Sequence, residues 1–284
     1  MTNAASAIDG RPVASRGTIS GATRGFLYLV IAAIASFGLP LYLFPSGAGG
    51  YWAWTVADPR TAMLIGSVYF VPTIHYSLLL REREWIGVET TLRSLFVVAG
   101  YLLVVAMVHW DTFYPWRLLT LSWLFSYYLP LLFLPILFRL QQERFGVDKD
   151  IGGRRIAPAW RAWLRTRAVI YFVLVVVMLM ATPRVIAMWP WSIETVNARM
   201  FSGQVAMFGV FPAYAILDGS WRRYKLFMRL TGMMAVGHLV LLNAPVGAYD
   251  WSRTLAVPLM LMPVEWLVTS VGLWLSNRGT EAAR

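Results

Sequence analysis

Apolar and polar residues follow one another along the chain in blocks. Most apolar blocks are about twenty residues long, the length of helix that crosses a hydrocarbon core of about 30 Å. They predict eight transmembrane helices, at 25–45, 61–80, 91–109, 117–138, 168–188, 199–217, 227–246 and 254–275. The pattern therefore predicts an all-α integral membrane bundle of about eight transmembrane helices.

Composition agrees with this class. Of the 284 residues, 58% are hydrophobic and 14% are charged, and the mean hydropathy is +0.58. A soluble domain of this length does not need so much apolar surface. The chain contains no cysteine, which excludes disulfides, thiolate metal sites and cysteine nucleophiles.

The basic residues predict an orientation. Twenty of the 25 Lys and Arg residues fall in the N-terminal arm, the C-terminal tail and alternate connections between the spans. By the positive-inside rule these segments are cytoplasmic. We expect a multi-pass protein of the cytoplasmic (inner) membrane with both termini in the cytoplasm. The pI of 10.2 then reflects topology, and we expect no nucleic-acid partner.

The sequence also resembles itself at an offset of 137 residues. This offset pairs Trp54 with Trp191, Gly66 with Gly203 and Gly100 with Gly237. The segments YWAWTVADPRTA and MWPWSIETVNAR correspond, and each follows the first helix of a four-helix group. The pattern favours a 4+4 tandem repeat whose halves share one orientation. A chance likeness between apolar helices is the alternative.

The repeat implies a domain organisation with a basic centre. Its Trp160 and Trp163 are typical of an interfacial amphipathic helix. The predicted parts are a disordered cytoplasmic arm at 1–22, a first half at 23–138, a basic cytoplasmic linker with the interfacial helix at 139–167, a second half at 168–277 and a cytoplasmic tail at 278–284.

The two corresponding segments predict helix starts. Asp58 followed by Pro59 is typical of an N-cap and a first helical turn. In the second copy Ser192 or Thr195 is expected to cap in the same way. The tryptophans are expected to lie at the outer membrane interface. Two interpretations remain open, an outward-facing ligand vestibule and a re-entry turn with an aromatic anchor.

The motif WPWSIETVNAR, together with HWDTFYPWRLLTLSW at 109–123, resembles an uncharacterised group of bacterial polytopic membrane proteins. The first copy departs from the motif, with Ala53 in place of the proline. The resemblance implies a polytopic membrane protein and carries over no activity and no catalytic residue.

Two ionisable residues fall near the middle of predicted spans. Glu265 follows the helix-distorting Pro263, and His238 lies at a similar depth on the preceding span. Ionisable groups are costly in the hydrocarbon, so we take both as candidates for substrate or proton binding. Contact between them would suit a proton relay or a cation site, and a purely structural pair is the alternative.

The other histidines are weaker candidates. His75 and His109 are expected near helix ends at the interface. Histidines on different spans can hold a haem or chlorophyll, but none of the three occupies corresponding positions in the two halves. Recognised phosphate-binding and metalloprotease motifs are missing. We therefore expect no catalytic residues, no metal and no cofactor.

Charges of both signs cluster in the predicted outer connections. They can form a network that closes the outer face or can bind a charged solute. The candidates are Asp58, Arg60, Asp111, Arg117, Arg184, Glu194, Arg199, Asp250 and Arg253.

Two functional classes fit these features. The first is a small secondary transporter or permease, which predicts a water-accessible polar cavity between the halves that reaches Glu265. The second is a non-catalytic scaffold or accessory subunit of a larger membrane complex. A membrane enzyme acting on lipid comes third. Expected partners are the lipid bilayer, with a small-molecule or ion substrate in the first case and a membrane protein in the second.

Overall fold

The computed structural model describes residues 17–145, 155–210 and 219–278, which form a bundle of long helices. The helices of these ranges are α1 (Gly21–Leu43), α2 (Ala48–Tyr51), α3 (Pro59–Leu79), α4 (Trp85–Val108), α5 (Leu118–Phe145), α6 (Pro158–Met180), α7 (Thr182–Ala187), α8 (Thr195–Val205), α9 (Trp221–Asn243) and α10 (Ala256–Asn277). A π-helical turn at Ala206–Val210 continues α8.

Seven helices of the described ranges are long and apolar enough to cross a membrane: α1, α3, α4, α5, α6, α9 and α10. The predicted all-α membrane bundle is therefore confirmed. The remaining predicted span, at 199–217, begins in α8, and residues 211–217 lie outside the described residues. The count of eight and the tandem repeat stay predictions. The predicted arm at 1–22 and the tail at 278–284 also lie largely outside them.

The observed helix bounds differ most from the predicted ones around the basic centre of the chain. The segment expected to form a separate interfacial helix is instead the first part of α6, which runs without a break from Pro158 to Met180. A proline suits the first turn of a helix, so the start at this residue is expected. Trp160 and Trp163 bind α10 side chains, with Nε1 donating to Ser276 Oγ and Thr269 Oγ1 at 2.8 and 3.0 Å.

One predicted cap is confirmed and its counterpart is wrong. Asp58 is the N-cap of α3, and its carboxylate accepts a hydrogen bond from Arg60 N at 2.7 Å. At the start of α8 the N-cap residue is Glu194, so neither Ser192 nor Thr195 has that role. The Glu194 carboxylate accepts no backbone N–H of α8; it accepts from Ala57 N at 2.9 Å and from the Asn197 side chain.

The tryptophans of the two corresponding segments are buried among the helices, and their depth at the outer interface stays a prediction. Trp54 and Trp191 are 1% and 8% exposed. Trp54 Nε1 donates to Asn197 Oδ1 on α8 at 2.8 Å, and Trp191 Nε1 donates to Thr61 Oγ1 on α3 at 2.9 Å. Each segment is thus hydrogen-bonded to the helix that follows the other, and the indoles hold α3 and α8 together.

The bundle packs around two apolar clusters. One is formed mostly by α1, α3, α4 and α5, and the other mostly by α6, α8, α9 and α10. At the crossing of α1 and α3, a Cβ added to Gly66 would lie 2.4 Å from Tyr42 N, so only glycine permits the approach. By contrast, α6 and α10 meet through side chains along one part of their length and leave a cavity beside it.

Candidate functional site

Glu265 lies on α10 and faces α6. Its Oε1 accepts from Thr269 Oγ1 at 2.8 Å and lies 2.8 Å from Arg167 Nε. Its Oε2 accepts from Tyr171 Oη at 2.8 Å and from Arg167 Nε at 3.1 Å. Three donors therefore stabilise the charged carboxylate at a depth where an isolated charge would be costly.

Arg167 is the partner that the sequence interpretation did not identify. Its side chain is 1% exposed, against 24% for Glu265. The Nη1 and Nη2 atoms are buried and have no hydrogen-bond partner among the described residues. A buried guanidinium with unsatisfied hydrogens is expensive unless a carboxylate compensates its charge. The ion pair with Glu265 therefore compensates the buried charge and joins α6 to α10 at this level.

The spacing of α6 contained a signal for this site. Arg167 and Tyr171 are four residues apart, so they lie on one face of the helix and both reach Glu265. The prediction placed Arg167 at the end of a cytoplasmic linker because it immediately precedes the long apolar run. Continuing the helical periodicity backward from Tyr171 would have put it on the inward-facing side.

His238 binds elsewhere. Its Nδ1 lies 2.9 Å from the Met234 carbonyl oxygen, which can only accept, so Nδ1 carries the hydrogen. Nε2 then accepts from Gln204 Nε2 on α8 at 3.0 Å. The geometry thus favours a neutral imidazole that joins α9 to α8.

Trp266 stands between the two predicted site residues. Its ring contacts the His238 ring, with centroids 5.5 Å apart, and its Nε1 donates to Tyr171 Oη at 2.7 Å. The hydrogen bonds described for Glu265 go to Arg167, Tyr171 and Thr269, and those of His238 to Gln204 and Met234. The two residues therefore belong to neighbouring parts of one polar layer.

A cavity of about 320 Å³ begins at the Arg167–Glu265 pair and extends toward the predicted outer side. It lies between α6, α7, α8 and α10. Apart from the ion pair its lining is apolar and includes Leu174, Val177, Phe201, Leu259, Leu261 and Met262. Ligand cavities in proteins typically have this character, with apolar walls and a few convergent polar groups.

The cavity has an exposed mouth between α6 and α10. Leu174 and Val177 on α6 are 43% and 42% exposed, and Leu261 on α10 is 57% exposed. In a bilayer these side chains would face the hydrocarbon, since both helices are long enough to span it. The mouth is therefore oriented toward lipid.

The observed cavity differs from the expected one in two respects. It lies among α6, α7, α8 and α10, whereas a cavity between the two predicted halves was expected, and its walls are apolar. Between the two predicted halves, at α3, α4 and α8, there is a cavity of about 40 Å³. Its lining includes Trp54, Asn197 and Gln204. That volume suits one or two water molecules. Large tryptophan and phenylalanine side chains fill the rest of this contact.

The outer arginines bind mostly to backbone. Arg60 is 3% exposed, and its guanidinium donates to the carbonyl oxygens of Leu241 and Leu242 at 3.1 Å, at the carboxyl end of α9. Cations at this end of a helix satisfy carbonyls that lack intrahelical partners. Arg117 Nη1 similarly donates to Trp52 O at 2.6 Å.

The remaining outer charges form local contacts. Asp250 pairs with Arg253 at 3.2 Å, the one ion pair among the nine candidates within the described residues, and Arg253 also donates to Ala187 O at 2.6 Å. Arg199 binds Thr182 Oγ1 and His109 Nε2 at 3.2 and 3.0 Å. Arg184 is exposed on α7, and Asp111 lies in the turn after α4. The structure thus brings the candidates to several helix ends and does not join them in one site.

The other histidines occupy different environments. His75 is fully buried within α3, which corrects its expected interfacial position, and its two ring nitrogens have no partner among the described residues. His109 follows the last residue of α4, at a helix end as expected. Partial burial, and then the neighbouring charge of Arg199, lower the pKa of His109.

Comparisons with protein-family models, with curated proteins and with solved structures found no match for this chain. The chemistry of the site is therefore inferred from its own residues. Within the described ranges, no group of three histidine, aspartate or glutamate side chains is placed to hold a metal ion.

Proposed function

We propose that this polytopic membrane protein is a small permease-like carrier for an amphiphilic molecule that enters from the lipid. The observation that carries the proposal is the apolar cavity, open between α6 and α10, that ends on the Arg167–Glu265 pair. The apolar part of a substrate would lie along the cavity wall, and its polar headgroup would meet the ion pair. This replaces the water-filled pathway first expected for a transporter.

The ion pair limits the substrate class. Arg167 and Glu265 together are neutral, and the partly exposed carboxylate of Glu265 lies beside the hydroxyls of Tyr171 and Thr269. The fitting headgroup is therefore neutral or zwitterionic and forms hydrogen bonds as donor and acceptor. A hydroxyl, an amide or an aminocarboxylate meets this description. A headgroup with a single net charge would have to compete with one member of the pair, at an energetic cost in a site of low polarity.

The neighbouring polar layer supports movement of the headgroup. Trp266 connects Tyr171, a ligand of Glu265, to the ring of His238. A headgroup that takes Tyr171 from Glu265 would therefore loosen α10 from α6 and allow these two helices to shift. The predicted 4+4 repeat, under which α6 and α10 correspond to α1 and α5, would supply the rigid half against which this movement occurs.

Uptake into proteoliposomes tests the proposal. Leu261→Trp places an indole in the mouth of the cavity and is expected to reduce uptake of a long-chain alcohol or amide about tenfold or more, whereas Leu132→Trp, on the exposed face of α5, leaves it unchanged. Because Leu261 lies at the surface, its substitution should not prevent folding. Equal uptake by both variants would contradict the proposal.

A non-catalytic scaffold or accessory subunit is the second candidate. It is favoured by aromatic side chains at the predicted outer end that the bundle leaves exposed, with Trp116 at 88% and Trp110 at 41%. A scaffold would be recovered with a stable partner after gentle detergent extraction, and Leu261→Trp would not affect that recovery. A carrier would be recovered without an obligatory partner.

A further inference from the structure

A second cleft lies far from the apolar cavity, at the predicted cytoplasmic end of the bundle. It has a volume of about 310 Å³ and lies between the α3–α4 turn and the first turns of α9. Its charged side chains, which define the inner cleft, are Arg81, Glu82, Arg83, Glu84, Arg222 and Lys225. Basic residues therefore outnumber acidic ones by four to two.

Both acidic residues are engaged by arginines. Glu84 pairs with Arg222 at 2.8 Å, and Glu82 pairs with Arg229 at 3.2 Å. Arg229 uses only Nη1 in this pair, and its buried Nε and Nη2 atoms have no partner among the described residues. Among the residues that the structure describes, both carboxylates of the inner cleft are thus paired, and Arg81 and Arg83 add positive charge to it.

Arg24 holds the α3–α4 turn in place on the side opposite the inner cleft. The guanidinium of Arg24 donates to the carbonyl oxygens of Leu80 and Glu82, the latter at 2.9 Å. These contacts leave the side chains of Arg81 and Arg83 exposed on the cleft side. On the floor, a Cβ added to Gly87 would lie 2.7 Å from Leu226 Cδ1, so α4 and α9 approach closely there.

The position of the inner cleft relates it to the membrane surface. It lies where α3 ends at Leu79 and α4 begins at Trp85, which is the depth of lipid headgroups when these helices span a bilayer. Basic clefts between helices on the cytoplasmic side suit anionic headgroups, and each nearby Lys or Arg strengthens the attraction several-fold. Fork-shaped guanidinium groups match phosphate oxygens especially well.

We infer that the inner cleft binds a phosphate group, held by the exposed side chains of Arg81 and Arg83. An anionic phospholipid and a soluble phosphate share this chemistry. The headgroup depth of the cleft favours the phospholipid. This site is independent of the apolar cavity and of the proposed carrier function.

Lipid retention by the purified full-length protein tests the site. Native mass spectrometry would compare bound phosphatidylglycerol with bound phosphatidylcholine, before and after addition of millimolar inorganic phosphate. We expect a preference for phosphatidylglycerol that falls about tenfold or more in the double variant Arg81→Gln/Arg83→Gln. The matched control is Arg139→Gln/Arg278→Gln, which removes two other exposed charges predicted to face the cytoplasm and should keep the preference.

Each outcome bears on the inference. Loss of the preference in the cleft variant alone supports the site. If inorganic phosphate displaces the lipid, soluble phosphate can occupy the site, and if it does not, the phospholipid is the ligand. Equal retention of the two lipids by the unmodified protein, with no phosphate binding, would overturn the inference. So would an equal loss in the control variant, because it would indicate general surface attraction.

Discussion

Arg167 and Glu265 compensate each other inside the bundle. Replacing Glu265 by Gln leaves the buried guanidinium without its counter-charge, and we expect the free energy of unfolding in detergent to fall by about 3–5 kcal/mol. Changing both residues to Met removes the two charges together. The double variant should therefore lose much less free energy of unfolding than the two single variants lose in sum.

The chain offers a matched control for this experiment. Arg139 and Glu143 form an exposed pair on α5 at 2.7 Å. Exposed pairs of this kind contribute little to stability, so Glu143→Gln should change the free energy of unfolding by less than about 1 kcal/mol. A double variant at Arg167 and Glu265 as unstable as both single losses combined would show that the two side chains do not compensate each other.

His109 is expected to make the stability of the protein depend on pH in the acid range. Burial and Arg199 lower its pKa in the folded protein, so the unfolded chain takes up a proton first as the pH falls through about 6.5. Stability should therefore be highest above that pH and decrease below it, toward the lowered pKa of the folded state. The effect should be below about 1 kcal/mol because the ring is only partly buried.

Thermal unfolding of the native protein and His109→Gln, followed from pH 8 to pH 5, measures this contribution. The melting temperature of the variant should fall less than that of the native protein over the acid part of the range. Identical curves would show that His109 does not titrate differently in the folded and unfolded states.

Individual residues differ in how far the sequence predicts them. Asp58 was predicted as a cap because its signal lies within four residues. The cap at Glu194 was missed, because its carboxylate binds Ala57 N and the Asn197 side chain rather than a backbone N–H of α8. The partners of Arg167 and Arg60 were not predicted, because they are on helices that only tertiary packing brings close. The roles proposed for Glu265 and His238 in binding stay predictions.

Glycine determines how closely two of the helices approach. A methyl group at Gly66 would overlap the backbone of α1 at Tyr42, whereas one at Gly100 would lie 3.6 Å from Leu131 Cδ2, an ordinary contact. Gly66→Ala should therefore lower the free energy of unfolding by about 1–3 kcal/mol. Gly100→Ala should leave it unchanged or raise it slightly, because alanine favours the helix.

The two glycine variants can be compared by chemical denaturation in one detergent. Both glycines belong to the predicted repeat, but only Gly66 lies at a close helix crossing. A difference between the two variants would therefore reflect packing and not membership of the repeat. Equal destabilisation by the two substitutions would mean that the close approach of α1 and α3 does not depend on Gly66.

Helices were easier to predict than their ends. Long apolar runs indicate the spans directly, whereas α4 and α6 begin earlier than expected, at Trp85 and Pro158. Trp85 at the start of α4 is buried, and Trp160 in the first turn of α6 donates to Ser276 on α10, contacts that hydropathy along a single chain does not register. The inter-helix hydrogen bonds of Trp54 and Trp191 were missed for the same reason.

The whole bundle has a predicted orientation that can be measured. Because the chain has no cysteine, a single introduced cysteine can be labelled without background. Ser252→Cys, in the predicted outer connection, should react with a membrane-impermeant maleimide on intact cells. Gln142→Cys, at the other end of α5, should react only after permeabilisation. The reverse pattern would invert the topology.

The central claim is that the cavity between α6 and α10 takes an amphiphile from the lipid, and photo-crosslinking tests it most directly. A long-chain alcohol with a photoactivatable group on its chain would be added to the protein in vesicles, and labelled peptides mapped by mass spectrometry. We predict labelling concentrated at Leu174, Val177, Leu261 and Met262, reduced by excess unlabelled alcohol and by Leu261→Trp. Labelling spread evenly over exposed helix faces, including Leu132 on α5, and unaffected by competitor would contradict it.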